Sequence, residues 1–427
     1  MSTTVFGWRD GLAYGLLGLP LAFVALPLYV ILPNHYAREF GVPLATLGII
    51  LLGARLFDAF IDPLLGRVSD RLFARSPAHV LTLGGFAAVV LALGFVLLFF
   101  PLVKTPGALI AWASVMLVVT YAAYSALSVS HQSWGAMLGG NEAQRSRIVA
   151  WREGLGLVGV VIASVTPVAL GLPATTALFF VALLVGWLAW TRAVRPVAKP
   201  TSHLALATTP AVNIWLPFQH GNFRRLLVVF MLNGTASAVP ATLVLFFIQD
   251  LLQAPPALEP VFLGSYFLSA ALSIPLWLAI VKRLGLARTW LCGMGLAIAV
   301  FAWATQVSAG QTGAFVAICA LSGIALGTDL ALPGALLAGV IQANGQSGRA
   351  EGAYFGWWNF ATKLNLALAA GLALPLLGLF GYAPGVRAPQ ALSALLIAYC
   401  VLPCLLKLAA ALSLYVYIIR KPESSAS

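Results

Sequence analysis

Charge is the scarcest property of this sequence: Asp, Glu, Lys and Arg together make up 8% of its 427 residues. A soluble domain carries about a quarter charged residues, so an ordinary water-exposed fold is excluded. Cysteine is scarce too. The four present, Cys292, Cys319, Cys400 and Cys404, all lie in apolar stretches. Cys400 and Cys404 stand one helical turn apart, yet no His or acid neighbours them. They read as packing residues, not as a metal site or a disulfide framework. The five histidines (His35, His79, His131, His203, His220) are dispersed over separate loops and helix ends, with no HExxH or paired Asp-rich motif. No metal and no cofactor is expected from them, and the zinc-hydrolase signature is missing. Acidic residues number 12 against 24 basic ones, a formal charge of +12. The basic residues are scattered through the connections, with no basic run and no interleaved aromatic platform, so no nucleic-acid partner is expected.

Apolar residues are abundant instead, at 61%. They form runs of the length that crosses a bilayer, about 20 residues for about 30 Å of hydrocarbon. Backbone polar groups in lipid must be satisfied within the structure, which predicts helices; a β-barrel would show short alternating segments. Twelve spans are read in the sequence, at about 11–33, 43–65, 79–102, 108–130, 148–171 and 174–191, then 225–250, 258–281, 289–308, 312–341, 354–380 and 388–419. The expected fold is an all-α membrane protein of two pseudo-symmetric six-helix bundles, residues 1–191 and 223–427. Between them runs a polar linker, 192–222, containing Pro196, Lys199, Pro200, Thr201 and Ser202. Met1 to Asp10 is short and polar, and no small-residue cleavage site follows the first apolar run. That run is expected to be a retained helix rather than a signal peptide.

Orientation follows from Lys and Arg. Eighteen fall in connections on the N-terminal side, among them Arg67, Arg71, Arg75, Arg145 and Arg147, against Arg38, Lys104 and Arg387 on the other. Both termini and the linker are therefore expected in the cytoplasm, in a multi-pass protein of a bacterial inner membrane. Two groups of six helices joined by a long cytoplasmic linker resemble the layout of a major facilitator transporter. Such folds place the solute at the midplane, between halves that rock against each other.

The second span reads Gly53-Ala54-Arg55-Leu56-Phe57-Asp58-Ala59-Phe60-Ile61-Asp62-Pro63. A charge at the bilayer centre costs roughly 2.5–3.5 kcal/mol on the mild insertion scale. Arg55, Asp58 and Asp62 are spaced by three and four, so they share one helix face. Their charges sum to −1, which one Na⁺ or H⁺ would neutralise. Carboxylate oxygens are the hard ligands alkali ions prefer, and a carboxylate takes a proton when burial raises its pKa. The plainer alternative is a buried ion-pair network that only packs the helix.

Three ordered motifs carry a family resemblance. The first is Arg55-x-x-Asp58-x-x-x-Asp62-Pro63-x-x-Gly66-x-x-x-Asp70. The second joins Trp134-Gly135-Ala136-Met137-Leu138 to Arg145-x-Arg147 and Ala150-Trp151-Arg152. The third is Arg349-x-Glu351-Gly352-x-Tyr354-Phe355-Gly356, followed by Phe360-x-x-Lys363-Leu364. Together they resemble the glycoside-pentoside-hexuronide:cation symporters, the melibiose-carrier branch of the major facilitator superfamily. The resemblance implies that Asp58 and Asp62 are the cation-site carboxylates, with Arg55 and Lys363 as neighbours. It also implies that Gly66, Asp70 and Arg71, in an expected turn after the second helix, form a gate. Two departures stand out. Ile61 occupies the position of a family amide, and Ala22 and Ser125 stand where the sugar carriers have acids that hold sugar hydroxyls.

The remaining candidates are weighed on their own residues. Lys363 lies about 13 Å into its helix at 1.5 Å per residue, too deep for easy snorkelling. Asp329, in Gly327-Thr328-Asp329-Leu330, is read as a solute contact or a second proton site, or else as a local cap at a kink before Pro333. Arg152 and Glu153 are expected to be an exposed interfacial pair, and Lys407 is expected to snorkel or pack. Setting Pro63 against Pro275 pairs Arg55, Asp58 and Asp62 with Phe267, Ala270 and Ile274, so the acid cluster has no twin in the second half. Tyr14, Tyr121, Tyr124, Ser125, Asn233, Thr328 and Asp329 are the candidate solute-binding residues.

The leading functional reading is a secondary transporter: symport of a small organic, sugar-like solute with Na⁺ or H⁺ by alternating access. It is expected to be a monomer in the lipid bilayer and not an enzyme. A second reading keeps the fold and changes the cargo to an amphiphile, such as a lysolipid or drug-like compound, because the polar sugar ligands are missing. A remote third is a membrane-embedded enzyme acting on lipid-linked substrates.

Overall fold

Hydrocarbon offers the backbone no partners, and this chain answers with helices. The structure is a computed structural model describing residues 6–42, 44–196, 213–382, 385 and 388–420. Most of the linker, with Lys199 and His203, lies outside the described residues, as do Arg387 and Lys421. The helices are α1 (Trp8–Leu26), α2 (Leu44–Arg75), α3 (Pro77–Phe99), α4 (Pro106–Met137), α5 (Glu142–Pro167) and α6 (Ala169–Thr191). They continue with α7 (Gly221–Leu251), α8 (Pro256–Leu284), α9 (Leu286–Ala304), α10 (Thr312–Ala343), α11 (Glu351–Leu379) and α12 (Pro389–Ile419). Ten of these are long and apolar enough to cross a bilayer; α2 and α11 complete the twelve. No strand occurs among the described residues.

Two features differ from the sequence expectation. Residues Gly66 to Arg71, expected as a turn, are helical, and α2 runs on to Arg75. Hydropathy marks where the lipid ends; the helix itself ends only where Ser76 turns extended (φ −172°) ahead of Pro77. Just inside α6, Gly171 leaves the helical conformation with a φ of 79° that favours glycine, and Pro167 and Pro173 flank it. Wide π-turns follow the regular part of α1 at Pro27–Ile31 and close α7 at Phe247–Leu251.

The chain packs as two compact units, Met1–Gln219 with Ala338–Phe360, and His220–Leu337 with Ala361–Ser427. In the first, α1 lies against α5 through small residues: Gly11 meets the Trp151 ring, Gly15 and Gly18 meet the backbone of Trp151 and Arg152, and Gly159 meets the Leu19 carbonyl. This is how helices approach closely where lipid provides no hydrophobic drive. Trp134 and Trp190 pack edge to face beneath them. In the second unit, Phe247 stacks on both Phe315 and Tyr399 at 5.3 and 4.2 Å. Asp250, within the α7 π-turn, accepts from the Tyr382 hydroxyl (2.5 Å) and the Gly385 N–H (3.2 Å), tying down the loop after α11.

Candidate ion and solute sites

On α2 the helical period sorts residues cleanly. Leu56, Phe60 and Leu64 are exposed, whereas Asp58 and Asp62 retain 1% and 0% of their accessible surface. The two acids therefore point into the first unit, where α4 packs on α2. The Ser125 hydroxyl donates to Asp58 Oδ1 at 2.6 Å. Tyr121 lies in the field of Arg55 and Asp58, and Tyr124 in that of Asp58 and Asp62. Arg55 is exposed, unlike the acids one and two turns later. The structure thus brings Ser125 onto Asp58, with Tyr121 and Tyr124 within electrostatic reach of the acids. Both carboxylates are withdrawn from bulk water, which costs an ionised group several kcal/mol.

Tyr14 is elsewhere in the same unit. It stacks on His131 at 4.4 Å, and its hydroxyl donates to the His131 carbonyl at 3.1 Å. The ring of His131 is hydrogen-bonded in turn to the Tyr14 carbonyl at 2.8 Å. Arg152 also reaches Tyr14 and pairs with Glu153 through two hydrogen bonds. Expected as an exposed interfacial pair, Arg152 and Glu153 are instead mostly covered, with side-chain exposures of 14% and 28%. The reason is Tyr14, which draws the guanidinium inward.

Beyond Leu65, past the apolar stretch of α2, the chain meets the start of α11. A Cβ on Gly66 would collide with the Gly352 carbonyl oxygen, and one on Gly352 with the Gly66 carbonyl oxygen. Only glycine permits this backbone-on-backbone crossing. Asp70 then accepts the N–H groups of Gly352 (2.6 Å) and Ala353 (2.8 Å), the free amides of a helix N-terminus. Glu351 accepts from the Gly348 N–H at 2.6 Å. Burial, and then the charge of Glu351, pushes the Asp70 carboxyl well above the usual carboxylate range, against the pull of its two amides. Burial raises Glu351 to about 7, against several backbone N–H groups. Nearby, Arg145 donates to Gln342 Oε1 at 2.7 Å. Gly66 and Asp70 therefore clasp the first turn of α11, while Arg71 is exposed.

The second unit holds a charged cluster that sequence spacing did not disclose. Asp329 on α10 accepts from Asn233 Nδ2 (2.9 Å) and Trp290 Nε1 (2.8 Å) at one oxygen, and from Ser237 (3.1 Å) and Lys407 Nζ (2.9 Å) at the other. Lys407 also donates to Asn233 Oδ1 at 2.8 Å. Lys407 is 4% exposed, so it neither snorkels nor merely packs; it is an ion-pair partner. Asp329 is engaged by four side chains from three other helices and does not act as a local cap. Two ionisable residues of opposite sign in separate apolar runs of one bundle were the signal available. Thr328 turns away: its hydroxyl donates to the Ala325 carbonyl, and the side chain packs on Gly293. Lys363 is half-buried on α11 and groups with the second unit. No group of three or more metal-ligating side chains occurs among the described residues.

Comparison with known proteins agrees with this architecture. The profile of the family described as MFS/sugar transport protein matches residues 11–421. The uncharacterized symporter YjmB of Bacillus subtilis is 26% identical over 402 residues, covering 87% of this chain and 84% of its own length. A putative sulfoquinovose importer of Salmonella typhimurium is 28% identical over 162 residues, 37% of this chain and 33% of that protein. Among solved structures, a bacterial homologue of the iron transporter ferroportin in its outward-facing state superposes with a TM-score of 0.68 at 16% identity, covering 96% of this chain and 98% of that one. The fucose:proton symporter of E. coli superposes at 0.66 and 13% identity, covering 95% and 99%. At such identities the structural likeness concerns the fold.

Proposed function

We propose, from the premise that the chain belongs to the MFS/sugar transport protein family, that it carries a sugar-like solute across a bacterial inner membrane in symport with a cation. The observation that carries this reading is the burial of Asp58 and Asp62 one helical turn apart in the first unit, with Ser125 bonded to Asp58. Like charges on one buried helix face repel, and a cation or proton relieves that repulsion. The acids thus form a site that changes charge when the ion arrives or leaves, and alternating access would expose it to each side in turn. Asp70 and the Gly66–Gly352 crossing are proposed as a latch at the start of α11. The names of the relatives, a symporter and a putative sulfoquinovose importer, support both the coupling and the sugar-like cargo. Lys and Arg placement supports cytoplasmic termini, and a monomer suffices for the mechanism.

Uptake into proteoliposomes under imposed Na⁺ and pH gradients, against a panel of sugars, sugar acids and lysolipids, tests the proposal. Uphill accumulation is expected with one of the two gradients and is expected to vanish in Asp58→Asn and Asp62→Asn, with both variants still folded in detergent. Normal ion-driven accumulation in both would refute the assigned site. Accumulation of lysolipids alone would change the cargo and keep the fold.

A further inference from the structure

The second unit holds a partly open cavity of about 160 Å³ lined by α7, α8, α9, α10 and α12. Phe262, Tyr266, Phe267, Phe301 and Tyr399 give it an aromatic wall, and Asp329 and Lys407 stand in its lining. We infer that this cavity binds a small aromatic or alicyclic carboxylic acid, its ring among the aromatic side chains and its anionic group on Lys407.

Size sets the first limit. Drug-sized ligands occupy about 300 Å³ or more, whereas an apolar cavity of about 150 Å³ takes benzene. One six-membered ring fits. The polar groups set the second. An ionised carboxylate has about four lone-pair sites, and Asp329 already accepts from Asn233, Trp290, Ser237 and Lys407. It has little left for a cation or a hydroxyl. An ammonium has three N–H donors, and Lys407 uses two, on Asn233 and Asp329. The hydroxyls of Tyr266 and Tyr399 carry no hydrogen bond among the described residues. The cavity's spare groups are therefore mainly donors, which suit an anionic acceptor. When Lys407 turns towards an entering carboxylate, Asp329 keeps three neutral donors, so the lysine can be shared without stranding its first partner. The apolar wall sets the third limit: it cannot partner the hydroxyls of a polyol, and buried hydroxyls without partners are penalised.

Isothermal titration of the full chain in nanodiscs tests this, with benzoate and cyclohexanecarboxylate as probes against benzyl alcohol, benzylamine and glucuronate. Saturable binding of the two acids is expected, at least tenfold tighter than any of the other three. Ala325→Leu, which fills the cavity and leaves the ion pair intact, is expected to abolish acid binding; Lys407→Met should do the same if it folds. Equal binding of benzyl alcohol, preference for glucuronate, or full benzoate affinity in folded Ala325→Leu would each overturn the inference. The outcome is separable from the symport reading. Sugar uptake dependent on Asp58 and Asp62 without acid binding removes only this site, and acid binding without ion-driven uptake of anything removes only the symport.

Discussion

The two units bury their charges in opposite ways. In the first, Asp58 and Asp62 are buried together on α2, and Ser125 donates to Asp58. In the second, one acid meets one base, and Asp329 is surrounded by four donors. A buried pair of opposite sign is neutral and self-sufficient. A buried pair of like sign repels, so each acid sits against its neighbour's charge. The contrast separates two like charges on one helix face from an opposite-sign pair closed by hydrogen bonds.

The comparison can be tested by breaking each side. The largest expected effect is on the balanced pair: Lys407→Met leaves Asp329 as an uncompensated buried charge, which costs about 3–5 kcal/mol. It should appear as a large fall in thermal stability, with much of the loss recovered in Lys407→Met/Asp329→Leu. Asp58→Asn should do the reverse on the other side, leaving the melting temperature unchanged or raised by easing the repulsion of two like charges, while ion-driven accumulation vanishes. A destabilised Asp58→Asn would mean that the acid is structural. Next in size, Ser125→Ala removes a hydrogen bond to a charged group, a contribution of about 1.5–3 kcal/mol. The apparent affinity for the coupling ion should drop about tenfold with maximal uptake preserved.

The smallest expected effect concerns pH. Glu351 has a folded pKa of about 7 against an ordinary 4.5, so the folded state binds this proton more tightly than the unfolded one. Its contribution is present below about 4.5 and lost as pH rises through about 7. Stability measured across that window should decline towards neutrality, and Glu351→Gln should flatten the decline. An unchanged slope in the variant would assign the dependence to another group.

Much of this was legible in the sequence for a simple reason: lipid imposes one rule on every span, and long apolar runs record it directly. The acids of α2 were legible as well, since positions three and four apart share a face whatever the fold. The Asp329–Lys407 pair was not, because its partners are 78 residues apart and helical spacing says nothing across helices. Nor was the continuation of α2 through Gly66 to Arg71, since a polar stretch at the lipid boundary looks the same whether helical or coiled. Arg152 and Glu153 were misplaced for a related reason: adjacent opposite charges look solvent-paired until a tyrosine from another helix is seen to cover them.

The π-turn that follows α1 and the one that closes α7 have a consequence of their own. At such a turn the N–H reaches back five residues instead of four, which leaves the backbone some slack without severing the rod. These two helices open the two halves of the chain, and each carries its elbow after its regular part, at Pro27–Ile31 and at Phe247–Leu251. The first joint is followed by another helical stretch, Leu32–Glu39, and the second by the end of its helix, so the first helix of each half is able to bend there without losing its course.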